Sequence, residues 1–171
     1  MKHNYRIEND EILLRPLEIN DIELIRSWRN IDSIRKSFVY QGIISAPQQK
    51  EWYEKYKANM QDIMFIIEYK GKSVGTVALY NIDTDKKEAE FGRLMIGEPS
   101  ARGFNIGRRV TQALCKFGFE HLGLENIVLE VFSDNLYAKK SYEAVGFKGK
   151  GIKTLEERQL IIMVLSKGII V

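Results

Sequence analysis

Arg102-Gly103-Phe104-Asn105-Ile106-Gly107 is the stretch of this chain best suited to hold an anion. At the start of a helix, successive backbone N–H groups point outward without partners, and the positive end of the helix dipole strengthens their pull on negative charge. Gly103 and Gly107 let the backbone come close to a ligand, and Asn105 is one of the few non-glycine residues that enter the left-handed region without large strain. The stretch has no Gly-Lys-Ser/Thr and no Gly-x-Gly-x-x-Gly, so nucleoside triphosphate and dinucleotide loops lose support. A plain glycine-rich turn is the other reading of the same residues. Further on, Glu130, Asn135 and Tyr142 supply a carboxylate, an amide and a phenol within one short stretch. A carboxylate and a phenol so placed could move protons in both directions during a group transfer.

The elements that must position these residues follow from period and caps. Ile12-Leu13-Leu14-Arg15-Pro16-Leu17 predicts an edge strand ended by Pro16. Asn20 with Glu23 three positions on, and Ile22, Ile25 and Trp28 at helical spacing, predicts a first helix. Ser45-Ala46-Pro47-Gln48 repeats that logic, and Trp52 and Tyr56 give the second helix an aromatic face as far as about Asn59. Residues 64–69, 73–80 and 88–96 favour strands, joined by Lys70-Gly71-Lys72 and by the polar residues 83–87, which predicts an antiparallel meander. Val110, Leu114, Phe117 and His121 then line one helix face up to Gly123. A strand over 127–132, a helix over 136–145 closed by Gly146, and two runs around 147–153 and 159–165 complete a mixed sheet.

Composition narrows the classes. A chain of 171 residues with 44% hydrophobic content can bury a core as one domain over residues 1–171. No stretch approaches the roughly 18 apolar residues of a membrane span, and the first residues lack the apolar core of a signal peptide. The expectation is a cytoplasmic protein without membrane contact. Cys115 is the only cysteine, and His3 and His121 lie far apart, so neither a disulfide nor a metal site is expected. Packing is the expected role of Cys115. A net charge of +3 is too mild for a nucleic-acid partner. The basic residues after position 100, among them Arg102, Arg108, Lys139 and Lys153, suit a small polyanion or form a solvated face.

Strand, loop and helix, followed by a strand, Asn135 and a helix bearing Tyr142 before Gly146-Phe147, resemble the GNAT N-acetyltransferase superfamily. Its acetyl-CoA loop reads Arg/Gln-x-x-Gly-x-Gly/Ala, which puts Arg102 and Gly107 on the outer motif positions and Asn105 in place of the middle glycine. The resemblance runs from Leu14-Arg15-Pro16 through the final strand and is most specific over residues 90–147. It implies an α+β, three-layer fold. The central sheet would be mixed and mostly antiparallel, with about seven strands splayed between the fourth and fifth and about four flanking helices. It implies acetyl-CoA as co-substrate, no metal, and a direct transfer to an amine. By the same resemblance the amides of Gly103, Phe104, Asn105, Ile106, Gly107 and Arg108 hold the CoA pyrophosphate. The backbone of Met95, Ile96 and Gly97 binds the pantetheine arm and polarises the acetyl carbonyl, Asn135 bonds that arm, and Tyr142 protonates the departing thiolate.

An amine that arrives as an ammonium ion also needs a base. Glu130 stands twelve positions before Tyr142, a spacing similar to family members with a Glu/Tyr pair. On a strand it shares a side with Val128 and Phe132, a setting that suits a base acting directly or through water. The other readings are a Glu130 satisfied by Arg or Lys, a Tyr142 that is only a core aromatic, and Glu90 on the facing strand as the base. Ser27-Trp28-Arg29-Asn30 and residues 45–53 are similar to acetyltransferases acting on nucleotide-linked amino sugars, and also to those acetylating ribosomal-protein N-termini. Arg29 and Arg35 could meet a nucleotide phosphate, and Trp28, Phe38 or Tyr40 could stack on a sugar or base; alternatively Trp28 is buried and Arg29 solvated. A polyamine acceptor would want an acidic pocket, and the N-terminal half shows no acidic cluster. A small-molecule amine, a monomer or homodimer, and no nucleic-acid or membrane partner complete the expectation. The rivals are an acyl-CoA binding module without turnover and a structural interaction domain.

Overall fold

Ile63–Tyr69 buries five residues in succession, which only a strand covered on both faces can do. In the computed structural model, which describes residues 3–169, this strand lies inside an eight-stranded sheet. In chain order the strands are β1 (Ile7–Asn9), β2 (Ile12–Pro16), β3 (Ile63–Tyr69), β4 (Lys72–Asp83), β5 (Glu88–Ile96), β6 (Asn126–Phe132), β7 (Lys148–Leu155) and β8 (Arg158–Ser166). Their order across the sheet is β1-β2-β3-β4-β5-β6-β8-β7, antiparallel throughout except for β5 and β6. The helices are α1 (Ile22–Arg29), α2 (Asp32–Arg35), α3 (Ala46–Ala58), α4 (Ile106–His121) and α5 (Leu136–Glu143).

Alternation along β3 divides the core into two layers. Phe65 and Ile67 pack with Val110, Leu114 and Phe117 of α4, while Met64 and Ile66 pack with Ile25 and Trp28 of α1 and Tyr53 and Tyr56 of α3. The result is the three-layer α+β arrangement that the sequence implied, with eight strands where about seven were expected and five α-helices where about four were. The additional elements are β1 and α2. β1 has three residues and α2 four, too short for period to reveal them.

Two further expectations change. The strand does end at Pro16, which pairs with Phe65, but it is not at the edge, because β1 pairs with Ile12 to Leu14 on its outer side. The first helix starts at Ile22, after a 3₁₀ turn at Ile19–Asp21. Asp21 accepts the Glu18 N–H at 2.9 Å and both terminal nitrogens of Arg15 at 2.8 Å, so the capping carboxylate also anchors β2. That bidentate contact raises the Arg15 guanidinium above its ordinary value, opposed by burial and supported by Glu68. α3 follows its sequence signature, with Ser45 accepting from Gln48 N and the Gln48 side chain returning to Ser45 N.

What positions the site is the parting of β5 from β6. They pair only from Glu88↔Asn126 to Glu90↔Val128, whereas β6 stays paired with β8 as far as Phe132↔Leu160 and β5 with β4 as far as Ile96↔Gly75. A register shift between Thr76 and Ala78, with Arg93 at φ 50°, bulges β5 where the gap opens.

Candidate active site

The gap between the parted strands is a cavity of about 830 Å³ that runs from Leu94 and Ile96 on β5 to Val131 on β6, with Tyr142 and Asn135 on its wall and the loop before α4 at one end. Each element contributes for a local reason. At the loop, a 3₁₀ turn (Pro99–Ala101) leads to Arg102 in extended backbone, then Gly103 at φ 87° and Asn105 at φ 54°, ψ 23°. Asn105 therefore adopts the left-handed conformation that its residue type tolerates. Arg109 N donates to Asn105 O at 3.1 Å, the first bond of α4, and among the described residues the amides of 103–108 donate to nothing. They form an uncompensated row of N–H groups at a helix start. Arg102, Gly103, Asn105, Gly107 and Arg108 line the cavity. The Arg108 side chain donates to Ala144 O at 3.1 Å and so fastens α4 to the end of α5. Phe104 stands outside the lining, half exposed and against Tyr69 at 5.8 Å between ring centroids.

On the opposite wall, Asn135 caps α5: its side-chain oxygen accepts from Ala138 N at 3.2 Å, which leaves its amide NH₂ for a partner in the cavity. Two turns on, Tyr142 packs edge-on against Phe91 and Phe147 at 6.0 and 5.9 Å. Its hydroxyl has no hydrogen-bond partner among the described residues. Burial pushes its phenol up to about 12, so it is protonated at neutral pH. Cys115 lies beneath it, fully buried, with its thiol pushed far above the usual range by the same desolvation. That is a packing thiol.

The end of β5 differs from expectation. Gly97 N donates to Val74 O at 2.8 Å, so its amide belongs to the sheet. Alternation along the strand then turns the Met95 N–H toward β4 as well and the Ile96 N–H toward the gap. Of the three amides, that of Ile96 is the one that alternation leaves facing the gap. Gly97 is glycine for another reason: a Cβ there would fall inside the ring of Trp28. Trp28 is 5% exposed and belongs to the core beneath the sheet, lining neither cavity. Gly97→Ala is expected to cost about 1–3 kcal/mol through overpacking. Urea unfolding would register it as a lower midpoint with an unchanged slope.

Glu130 faces the cavity from β6, but it is exposed to solvent and accepts from Lys153 Nζ at 3.1 Å. The apolar enclosure expected from Val128 and Phe132 does not form, because β7 pairs beyond β8 and brings Lys153 within reach. Glu90 accepts from Asn81 Nδ2 at 2.9 Å and does not line the cavity. Tyr80, its cross-strand partner, does line it, and burial pushes that phenol up to about 12.

A second cavity, of about 310 Å³, adjoins the first. Phe38, Arg93 and Met95 line both. Arg29 lies over the Phe38 ring at 3.8 Å and donates to Tyr40 O at 3.2 Å, and burial lowers its guanidinium from its ordinary value. Arg93 is neutralised by the buried carboxylate of Asp62 at 2.7 Å and lies over Tyr80. Arg35, which was expected beside a phosphate, turns instead to Asp32 and to Gln41 O. Tyr40 is half exposed at the cavity wall.

A protein-family model described as an acetyltransferase (GNAT) domain matches residues 11–148. The chain belongs to the GNAT acetyltransferases. Among relatives, it is 26% identical over 140 residues to spermidine N(1)-acetyltransferase of Escherichia coli, covering 82% of this chain and 74% of that one. To acetyltransferase PseH of Campylobacter jejuni it is 28% identical over 127 residues, 74% of this chain and 76% of that one. Among solved structures, the spermidine N-acetyltransferase of Vibrio cholerae in complex with CoA and spermine superposes with a TM-score of 0.86 at 24% identity, covering 94% of this chain and 98% of that one, and shares the fold.

GNAT enzymes transfer acetyl from acetyl-CoA to amines, and the residues present fit that co-substrate. The row of free amides from 103 to 108 suits a diphosphate, and the gap between β5 and β6 leads from it to Tyr142. Among the described residues no helix is long and apolar enough to cross a membrane. Sequence reasoning missed Gln49, Arg93 and Tyr80 in this GNAT enzyme. Gln49 had a signal: it precedes Tyr53 and Tyr56 at helical spacing, a polar residue in the apolar stripe of α3. Arg93 had none, since its position depends on a bulge.

Proposed function

We propose that this GNAT acetyltransferase acetylates the primary amine of a nucleotide-linked amino sugar or a similar small metabolite. The observation that carries the reading is the smaller cavity beside the reacting gap, which is lined by Arg29, Arg93, Gln48, Gln49 and aromatic residues, with no carboxylate. The similarity to spermidine acetyltransferases favours a second acceptor, a polyamine. A polycation entering this cavity would meet the Arg29 guanidinium and no carboxylate on the lining, Arg93 being paired with Asp62, which costs affinity.

The residues divide the labour as follows. The amides from Gly103 to Arg108 hold the pyrophosphate of acetyl-CoA, whose thioester supplies the activated acetyl group. The free NH₂ of Asn135 orients the pantetheine arm. The Ile96 N–H is directed at the carbonyl oxygen as negative charge develops there, an interaction worth a few kcal/mol, roughly 3, when preorganised. Glu130, directly or through water, takes the proton that leaves the amine nitrogen as the new C–N bond forms. Tyr142 gives its proton to the thiolate as the C–S bond breaks.

Release of free CoA, followed across nucleotide-linked amino sugars, peptide N-termini and spermidine, tests the acceptor. The highest kcat/KM is expected with a nucleotide-linked amino sugar; a maximum with spermidine or a peptide would contradict the reading. Glu130→Gln is expected to lower kcat about tenfold or more with the KM for acetyl-CoA within about twofold, and an unchanged kcat would move the base elsewhere.

A further inference from the structure

Gln49 is 3% exposed, and its side-chain nitrogen is buried with no hydrogen-bond partner among the described residues. It lies on the same face of α3 as Tyr53 and Tyr56, where Tyr56 satisfies its hydroxyl by accepting from Met64 N at 3.2 Å. An unpaired buried amide destabilises the fold, and an aliphatic side chain at this position would remove the penalty. The amide therefore calls for a role outside folding. A second orphan points to the same place. One terminal nitrogen of Arg29 is also buried and unpartnered, although the other donates to Tyr40 O and the guanidinium plane rests on Phe38. Both residues line the 310 Å³ cavity, whose other walls include Ile25, Ile44, Trp52 and Met64.

We propose that Gln49 and Arg29 recognise an oxygen of the acceptor, an acyl, hydroxyl or phosphoryl oxygen on the molecule that carries the amine, and so set acceptor specificity. Two buried, unpartnered donors on side chains that line one apolar cavity are complementary to an acceptor atom and not to a cation. The apolar walls take the carbon face of the same body, as the lining of a small-molecule site does. A linear polyamine carries nitrogen donors only. It would bury both protein donors unpaired, and a site built for an oxygen rejects the analogue that lacks it. The inference rests on the acetyl-transfer reading above and sharpens it. What it adds is two specificity residues and the atom they read.

The test compares the wild type with Gln49→Leu, Gln49→Glu and Arg29→Met, using a nucleotide-linked amino sugar and spermidine as acceptors and the rise in Tm with acetyl-CoA as a folding and cofactor control. Gln49→Leu and Arg29→Met should each raise the KM for the amino sugar about tenfold or more, with kcat and the acetyl-CoA response less affected. Gln49→Glu supplies a carboxylate of the same shape and should shift the kcat/KM ratio toward spermidine by about tenfold or more. If the wild type turns over neither acceptor while acetyl-CoA still raises its Tm, the acetyl-transfer reading fails and this inference falls with it. If the wild type turns over the amino sugar and both Gln49 variants, folded by the Tm control, keep its KM within about twofold, the inference alone is overturned.

Discussion

Replacing Tyr142 with Phe lowers kcat about a hundredfold or more and leaves the KM for acetyl-CoA within about twofold, as expected for a lost general acid. The phenol ring packs against Phe91 and Phe147, contacts that Phe reproduces. Its hydroxyl has no protein partner among the described residues, so its removal leaves no group in the fold unsatisfied. A loss of activity would then report on chemistry and not on folding. The pH profile gives an independent check. Burial raises the Tyr142 phenol to about 12, so it keeps its proton at every pH below that value and loses it only as pH rises through it. The wild-type rate should not fall between about pH 8 and 10 on account of this group, where an ordinary tyrosine would already be ionising. Steady-state kinetics of the variant and the wild type across that range would decide both points.

Gly107→Val should raise the KM for acetyl-CoA about a hundredfold without lowering the Tm of the free protein. The protein itself does not require glycine there. A Cβ would meet only Leu94 Cδ2 at 3.8 Å, an ordinary contact, and valine is the better helix former. The position lies in the first turn of α4, inside the row of free amides, where a branched side chain would stand between those amides and a diphosphate. Loss of acetyl-CoA response with intact stability would place the ligand at this loop. A variant with wild-type KM would remove the diphosphate from it.

Much of this was legible in the sequence because the decisive signals were local. Ser45 and Gln48 announced α3 by cap chemistry, Gly123 at φ 68° closed α4, and the left-handed conformation of Asn105 followed from its residue type. The failures came where long-range pairing decides. Gly97 looked like part of a donor row, but its amide is used by Val74 and its missing Cβ makes room for Trp28. Period two correctly put Glu130 opposite to Leu129 and Val131, yet its neighbour Lys153 comes from a strand more than twenty residues away that no local pattern could place. The smaller cavity was the least legible part. It is built from α1, α3, the segment after α2 and the bulge of β5, so its charge could be judged only once Arg29 was seen on a lining without carboxylates and Arg93 was seen paired with Asp62.

The central claim is that the parted strands hold acetyl-CoA with its diphosphate at the loop and its sulfur at Tyr142, and a crystal structure of the complex with CoA tests it most directly. The account predicts diphosphate oxygens within about 3.2 Å of amides between Gly103 and Arg108, and the sulfur between β5 and β6 within direct or single-water reach of the Tyr142 hydroxyl. A diphosphate bound away from that loop, or a sulfur out of reach of Tyr142, would contradict it.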